Sequence, residues 1–265
     1  MKTNFIIHDR MFDSEERIAE AVNVLKNNNC NPIFVEGHYF EPENERLIKS
    51  LKGQTVKGLL PVNWARNSGI VGLGASPLDF HVTNYLKHFP EYFLNQDCVF
   101  YPFWSLKVDL FKNQIFKKFS YSDRLFVKPD SGFKTFTGFP TNREQWDKDI
   151  ELLNFVNENS IVLISSYKEI VYEWRFWIIG GELITYSPYS WEGQEEKEPE
   201  NFIIETAKLI AGRVKHLKNF TLDLCIEKGN IYPKVVEINC VNTSGVYNCD
   251  LNKLIPAMIG NKNEN

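Results

Sequence analysis

Near the end of the chain, alternation along Glu237-Ile238-Asn239 places Glu237 and Asn239 on one strand face, roughly 6.6 Å apart at about 3.3 Å per residue. The preceding strand carries Asp223 between Leu222 and Leu224. With Lys228-Gly229-Asn230 as a three-residue loop, Glu227 pairs with Ile231, Asp223 with Val235 and Thr221 with Glu237. Asp223 and Glu237 then become diagonal neighbours on one face, within roughly 7–8 Å. A two-residue loop would put them on opposite faces, and Pro233 is a possible source of a bulge. Two carboxylates and an amide oxygen on one face suit a hard divalent cation, and Mg2+ takes few carboxylates plus phosphate oxygens. The same spacing also occurs on an ordinary solvated sheet face. As an acid pair it would suit glycoside hydrolysis, a chemistry in which Asn239 has no part.

Two further places carry charge suited to an anion. Lys128 ends the apolar run Leu125-Phe126-Val127 and precedes the turn Pro129-Asp130-Ser131-Gly132, with Lys134 six residues on. A lysine at a strand end facing a turn is a plausible phosphate contact, although Gly132 and Gly138 do not make a P-loop. Arg175, in Glu173-Trp174-Arg175-Phe176, points opposite two aromatics. It is either a fixed fork for phosphate or carboxylate, or a surface arginine paired with Glu173 or Glu182.

These residues need a scaffold. The 265 residues carry 34 acids and 30 bases, a net charge of −4, with 43% hydrophobic and 24% charged residues. That length fits one large domain or two to three packed subdomains, and the apolar fraction excludes wholesale disorder. The acid excess speaks against a general nucleic-acid binder, and residues 192–200 alone account for it, with Glu192, Glu195, Glu196, Glu198 and Glu200 against Lys197. That run reads as a solvated loop or a flap over the site. No stretch has the roughly 18 apolar residues of a membrane helix. Five cysteines without C-x-x-C, and an N-terminus that reads as a strand, predict a soluble cytoplasmic protein.

The pattern opens with a strand at Phe5-Ile6-Ile7, a helix over 14–27 capped by Ser14, and a strand at Pro32–Val35. A further strand and Gly-rich turn fall within 55–75, a helix with a break at Pro90 within 80–95, and a short strand at Cys98–Phe100. Together these predict an α/β unit over residues 1–104. Beyond it come a strand at Leu125–Lys128, an amphipathic helix over 142–158 with Trp146, Ile150, Leu153 and Val156 on one face, and an apolar strand at Ile161–Ile164. A hairpin turns at Gly180-Gly181, a helix spans 201–213, and the last two strands run over 220–227 and 231–238.

In this order, Phe126-Val127-Lys128-Pro129, Ile161–Ile164 running into Ser165-Ser166-Tyr167, Glu173-Trp174-Arg175 with its Gly-Gly hairpin, Asp223, and Glu237-Ile238-Asn239 followed by Ser244-Gly245 resemble the ATP-grasp superfamily over roughly residues 105–258. The compact size and the Thr-Ser-Gly-Val-Tyr ending resemble the small ATP-grasp proteins of bacteria and phages. The resemblance implies a mixed α/β and α+β fold: a unit over 1–104 like those preceding ATP-grasp cores, then core subdomains over 105–166 and 167–265. It implies ATP and Mg2+ as cofactors, with Lys128 on the phosphates and the backbone of Ser165, Ser166 and Tyr167 reading adenine. Lys168 and Glu169 become candidates for adenine or ribose, and Asp223, Glu237 and Asn239 become metal ligands. Arg175 and Lys134 become the catalytic cations, and Ser244 and Tyr247 face the substrate. The implied reaction activates a carboxylate as an acyl phosphate and joins it to an amine, on small-molecule or peptide substrates. Many relatives carry an arginine where this chain has Thr221, which also admits a nucleotide-binding module without turnover.

Overall fold

A computed structural model of the chain describes residues 2–69, 77–189 and 196–260. Strand β1 (Asn4–His8) is buried throughout. It is followed by α1 (Glu15–Asn27), β2 (Asn31–Val35), α2 (Pro42–Ser50), β3 (Val56–Leu59) and α3 (Val62–Ser68). The three strands form a parallel sheet of order β2-β1-β3. A parallel strand covered on both faces must be apolar throughout, which Phe5-Ile6-Ile7 satisfies. Ser14 caps α1 as its sequence predicts, its Oγ accepting from the Arg17 N–H at 3.3 Å.

The expected helix over 80–95 breaks before Pro90, leaving α4 (Val82–Tyr85) and a tight turn at Leu86–His88. The chain beyond Pro90 runs along the edge of another strand. Leu94 N–H donates to Val235 C=O at 2.9 Å, and Val235 N–H donates to Tyr92 C=O at 2.7 Å. Covering a sheet edge this way satisfies backbone groups that a longer helix would leave exposed.

Next come β4 (Val99–Pro102), α5 (Asp109–Lys118), β5 (Leu125–Pro129), β6 (Phe139–Thr141), α6 (Trp146–Glu151) and β7 (Ile161–Ser166). The second sheet has the order β4-β7-β5-β6. Strand β4, read from sequence as part of the N-terminal unit, pairs antiparallel with β7 here. Helix α6 stops at Glu151, short of the predicted 158. Leu153 and Val156 continue it in three-residue turns, donating to Ile150 and Leu153 carbonyls. All four expected apolar residues are still buried beneath the sheet.

The third sheet is built from β8 (Ile170–Ile179), β9 (Glu182–Tyr189), β10 (Phe220–Glu227) and β11 (Lys234–Asn239), in the order β11-β10-β8-β9. Gly180 and Gly181 turn the β8–β9 hairpin at φ of 66° and 83°, a conformation that favours glycine. Trp174, Phe176 and Ile178 point from β8 into a core with Ile203, Ala207 and Ile210 of α7 (Asn201–Arg213). The opposite face of this sheet carries the site. The final helix, α8 (Leu251–Gly260), joins Phe5, Ile7 and Leu25 of the N-terminal unit in one core that also takes in Trp177 and Ile179. No helix among the described residues is long and apolar enough to cross a membrane.

Candidate active site

The register of the last hairpin differs from the one its loop predicts. Asp223 lies directly opposite Glu237, and a bulge between Asp223 and Leu224 brings Leu224 opposite Val235. Strand β11 starts only at Lys234, after Pro233, as expected of a residue that cannot donate to a ladder. The bulge skips Val236 and so keeps both carboxylates on one face. On its other side Asp223 is opposite Arg175, which is opposite Ser187. Glu237, Asp223 and Arg175 thus form one row across three strands.

Arg175 grips Asp223 with both arms of its fork, Nε to Oδ1 at 2.8 Å and Nη2 to Oδ2 at 2.7 Å. The pair is almost fully buried, at 5% and 2% side-chain exposure. Burial alone would lower the Arg175 pKa, but Asp223 more than offsets this and raises it. The rings of Tyr189 and Tyr247 lie 5.6 and 5.1 Å from the guanidinium. Tyr247 holds a left-handed φ of 43° to reach it. Arg175 is therefore committed to positioning Asp223, and Nη1, 3.4 Å from Gly245 C=O, is its remaining arm.

From the second sheet, Lys128 Nζ reaches Glu237 Oε2 at 3.3 Å, and Lys134 Nζ reaches Oε1 at 3.0 Å. Burial pushes the Glu237 pKa up, but Lys134 and Lys128 outweigh it and hold the carboxyl well below its ordinary value. Lys134 reaches there from a loop anchored at Asp130, whose carboxylate accepts from Thr83 N–H at 2.9 Å and Thr83 Oγ at 2.7 Å. Gly138 closes that loop over β5. A Cβ there would stand 2.6 Å from the Phe126 ring and 3.0 Å from Lys128 Cβ, so a larger residue would push the lysine aside.

Asn239 completes the set, its amide nitrogen 2.8 Å from Glu237 Oε1 and 3.4 Å from Asp223 Oδ2. No group of three or more His, Cys, Asp or Glu suited to a metal occurs among the described residues. Two facing carboxylates and an amide that can turn its oxygen inward fit a cation drawing its other ligands from phosphate and water.

These residues line a cavity of about 890 Å3 between the three sheets. Lys128, Lys134, Tyr167, Lys168, Arg175, Asp223, Glu237, Asn239, Ser244 and Tyr247 all border it, whereas Ser165, Ser166 and Glu169 do not. Ser165 is fully buried, its Oγ donating to Asn95 at 3.0 Å. Ser166 gives its N–H (3.1 Å) and Oγ (2.6 Å) to Asp97, whose other oxygen takes Lys168 Nζ. Burial would raise the Asp97 pKa, but the Lys168, Ser166 and Tyr121 hydrogen bonds lower it to about 2. The Tyr167 N–H donates to Arg124 C=O at 2.9 Å. The N–H groups of Ser166 and Tyr167 are thus satisfied within the protein. Glu169 pairs outside the cavity with Lys228 at 2.9 Å. Ser244 is 2% exposed and bonds Thr221 Oγ1 at 2.8 Å and Cys240 C=O at 2.9 Å, so Thr221 locks the loop that carries Tyr247. Tyr189 and Tyr247 border the cavity together with Tyr85, Tyr167 and several phenylalanines, while Trp64, Trp174 and Trp177 are core and Trp104 is on the surface. Trp191, Glu192 and Glu195 lie outside the described residues, and Glu196, Lys197, Glu198 and Glu200 are exposed.

Sequence reading missed Glu173. It shares Arg175's strand face two residues away, borders the cavity, and is 6% exposed with Oε2 unpartnered among the described residues. The alternation rule that paired Glu237 with Asn239 would have found it. Burial first, then Asp223 and Glu237, push its pKa up to about 8. The folded metal-free protein thus holds this proton more tightly than the unfolded chain, so stability should fall as pH rises from about 4.5 to about 8. Glu173→Gln should remove that slope. Urea midpoints across the window check it, and parallel curves for the two proteins would show an ordinary carboxyl.

Two α+β sheet units closing on a cavity, with lysines from one meeting a carboxylate row from the other, define an ATP-grasp fold. The chain belongs to a particular branch of it, described as ATP-grasp domain, R2K clade family 3, whose model matches residues 107–258. No curated protein matches by sequence. Among solved structures, the chain is similar to D-alanine–D-alanine ligase from Bacillus anthracis (15% identity, TM-score 0.58, covering 98% of this chain and 97% of that one). It is also similar to the ATP-grasp ligase PsnB complexed with a minimal precursor (11%, 0.54, 98% and 99%). N5-carboxyaminoimidazole synthetase from Staphylococcus aureus aligns at 12% identity and TM-score 0.60, covering 98% of this chain and 78% of that one.

Proposed function

We propose that the protein is an ATP-dependent ligase that activates a carboxylic acid as an acyl phosphate and joins it to an amine on a small molecule or peptide. The observation that carries this is the convergence of Lys128 and Lys134 from one sheet on Glu237 of another, at the wall of one cavity. Such a cluster is preorganised to receive polyphosphate, whose charge replaces the carboxylate's hold on the lysines. Asp223, Glu237 and Asn239 would hold Mg2+, which when bound neutralises charge developing on the transferring phosphoryl group.

The substrate carboxylate attacks the γ-phosphorus and the bond to the β-phosphate oxygen breaks, releasing ADP. The amine lone pair then attacks the acyl carbon, phosphate leaves, and the amine nitrogen gives up a proton. Lys128 and Lys134 offset the phosphate charge, Arg175 fixes Asp223, and Glu173 offers its unpartnered oxygen to a hydroxyl or amine of a bound ligand. The sheets fix the reacting groups relative to one another, which lowers the entropic cost of their encounter. ADP release with Mg2+ over a panel of acids and amines tests the reading. ATP binding without any acid-dependent ADP release would replace it with a nucleotide-binding module, the reading Thr221 admits.

A further inference from the structure

We propose that Arg10 binds a carboxylate on the amine-bearing substrate, so that the acceptor is an amino acid or a peptide end rather than a simple amine. The inference rests on the ligase reading above.

Arg10 follows β1 by two residues, at the carboxyl end of the parallel sheet, and Pro61 and Val62 after β3 lie at that same end. Ligands of open α/β sheets bind outside the carboxyl ends of the strands. All three residues border the cavity, and Arg10 is exposed.

Each of the other cations at the cavity wall has an acidic partner among the described residues. Lys128 and Lys134 have Glu237, Lys168 has Asp97, and Arg175 has Asp223. Among the described residues Arg10 has none, and its one hydrogen bond runs from its backbone N–H to His8 Nδ1 at 3.2 Å. Asp13, three residues on, also borders the cavity without engaging it.

The place of Arg10 narrows what it can hold. Its neighbour Met11 accepts the Val246 N–H at 2.9 Å, and the ring of the next residue, Tyr247, lies against Arg175. Arg10 therefore borders the cavity from the N-terminal wall, one residue from the contact that leads to Tyr247 and Arg175. The triphosphate and the acid being activated belong with Lys128 and Lys134, because the attacking carboxylate must lie at the γ-phosphate. That leaves the acceptor as the substrate with charge to match. A guanidinium presents a planar fork that takes a carboxylate through two parallel hydrogen bonds. The carboxylate held there plays no part in bond making; it orients the amine toward the acyl carbon.

The test compares wild type, Arg10→Ala and Arg10→Lys over amino acids, dipeptides and their C-terminal amides. Arg10→Ala should raise the acceptor KM by roughly 10–100-fold, the size of a lost charge-assisted contact. The ATP KM should stay within about twofold, Arg10→Lys should fall between, and amides should serve wild type as poorly as acids serve Arg10→Ala. Equal use of acids and amides by wild type, or an unchanged acceptor KM in Arg10→Ala, overturns the proposal. Titration calorimetry with the same acids and amides separates it from the ligase reading. Acid binding that Arg10→Ala abolishes, without turnover, supports Arg10 while the ligase reading fails. Absence of acid binding to wild type overturns the Arg10 assignment itself.

Discussion

Glu237→Gln is expected to lower acid-dependent ADP release by about 10²–10³-fold, the usual cost of removing one preorganised charged group from a reacting centre. Glu237 is where the two halves of the site meet. It draws in Lys128 at 3.3 Å and Lys134 at 3.0 Å and accepts from Asn239 at 2.8 Å. The amide keeps the shape but removes the charge that holds the lysines and that the proposed cation would need. Lys128 is only 8% exposed, so its ammonium would be left poorly matched. Steady-state ADP release with saturating Mg2+ measures the loss, and circular dichroism confirms that the fold is retained. Turnover within threefold of wild type would remove Glu237 from the mechanism.

Arg175→Met should cost about 3–5 kcal/mol of stability, because it leaves the Asp223 carboxylate buried without its counter-charge. The double variant Arg175→Met, Asp223→Leu should recover most of that loss, since a well-packed apolar pair replaces a buried ion pair at little cost. It should nevertheless release no ADP, because the proposed metal site loses one of its two carboxylates. Urea unfolding with an unchanged slope reports the stability, and the same preparations report activity. If the single variant is as stable as wild type, the two-armed contact contributes nothing. If the double variant still turns over, Asp223 is not a ligand.

The contact that makes Arg175 matter for stability is one that its local sequence does not show. Alternation correctly turned it away from Trp174 and Phe176, yet nothing local shows that β8 lies beside β10 with Arg175 opposite Asp223. Strand existence, the Gly-Gly turn and α7 were legible because each is encoded within a dozen residues. The Asp223–Glu237 pairing was legible as a shared face but not as a direct pair, because a bulge leaves no trace in a hydrophobic pattern. The segment Ser165–Tyr167 runs out of the apolar strand, as its sequence suggests. Its N–H groups are engaged by Asp97 and Arg124, and Asp97 lies 69 residues before Ser166. Helices α2, α3, α5 and α8 escaped notice. Helix α8 contains Pro256, which on local rules argues against a helix and is outvoted by Leu251, Leu254, Ile255 and Met258 in the core.

That core has a consequence for the order in which the molecule can be made. Phe5 and Ile7 pack with Leu251, Leu254 and Met258, partners from nearly the far end of the chain. Lys57 likewise spends its ammonium on the carbonyls of Met258 and Ile259. Synthesis delivers the N-terminal strands first and their packing partners last. Until α8 emerges, the β1 face that packs on it is an unfinished apolar surface, and such surfaces are prone to aggregate. The wall that carries Arg10 thus meets these packing partners only after about 240 further residues have been translated.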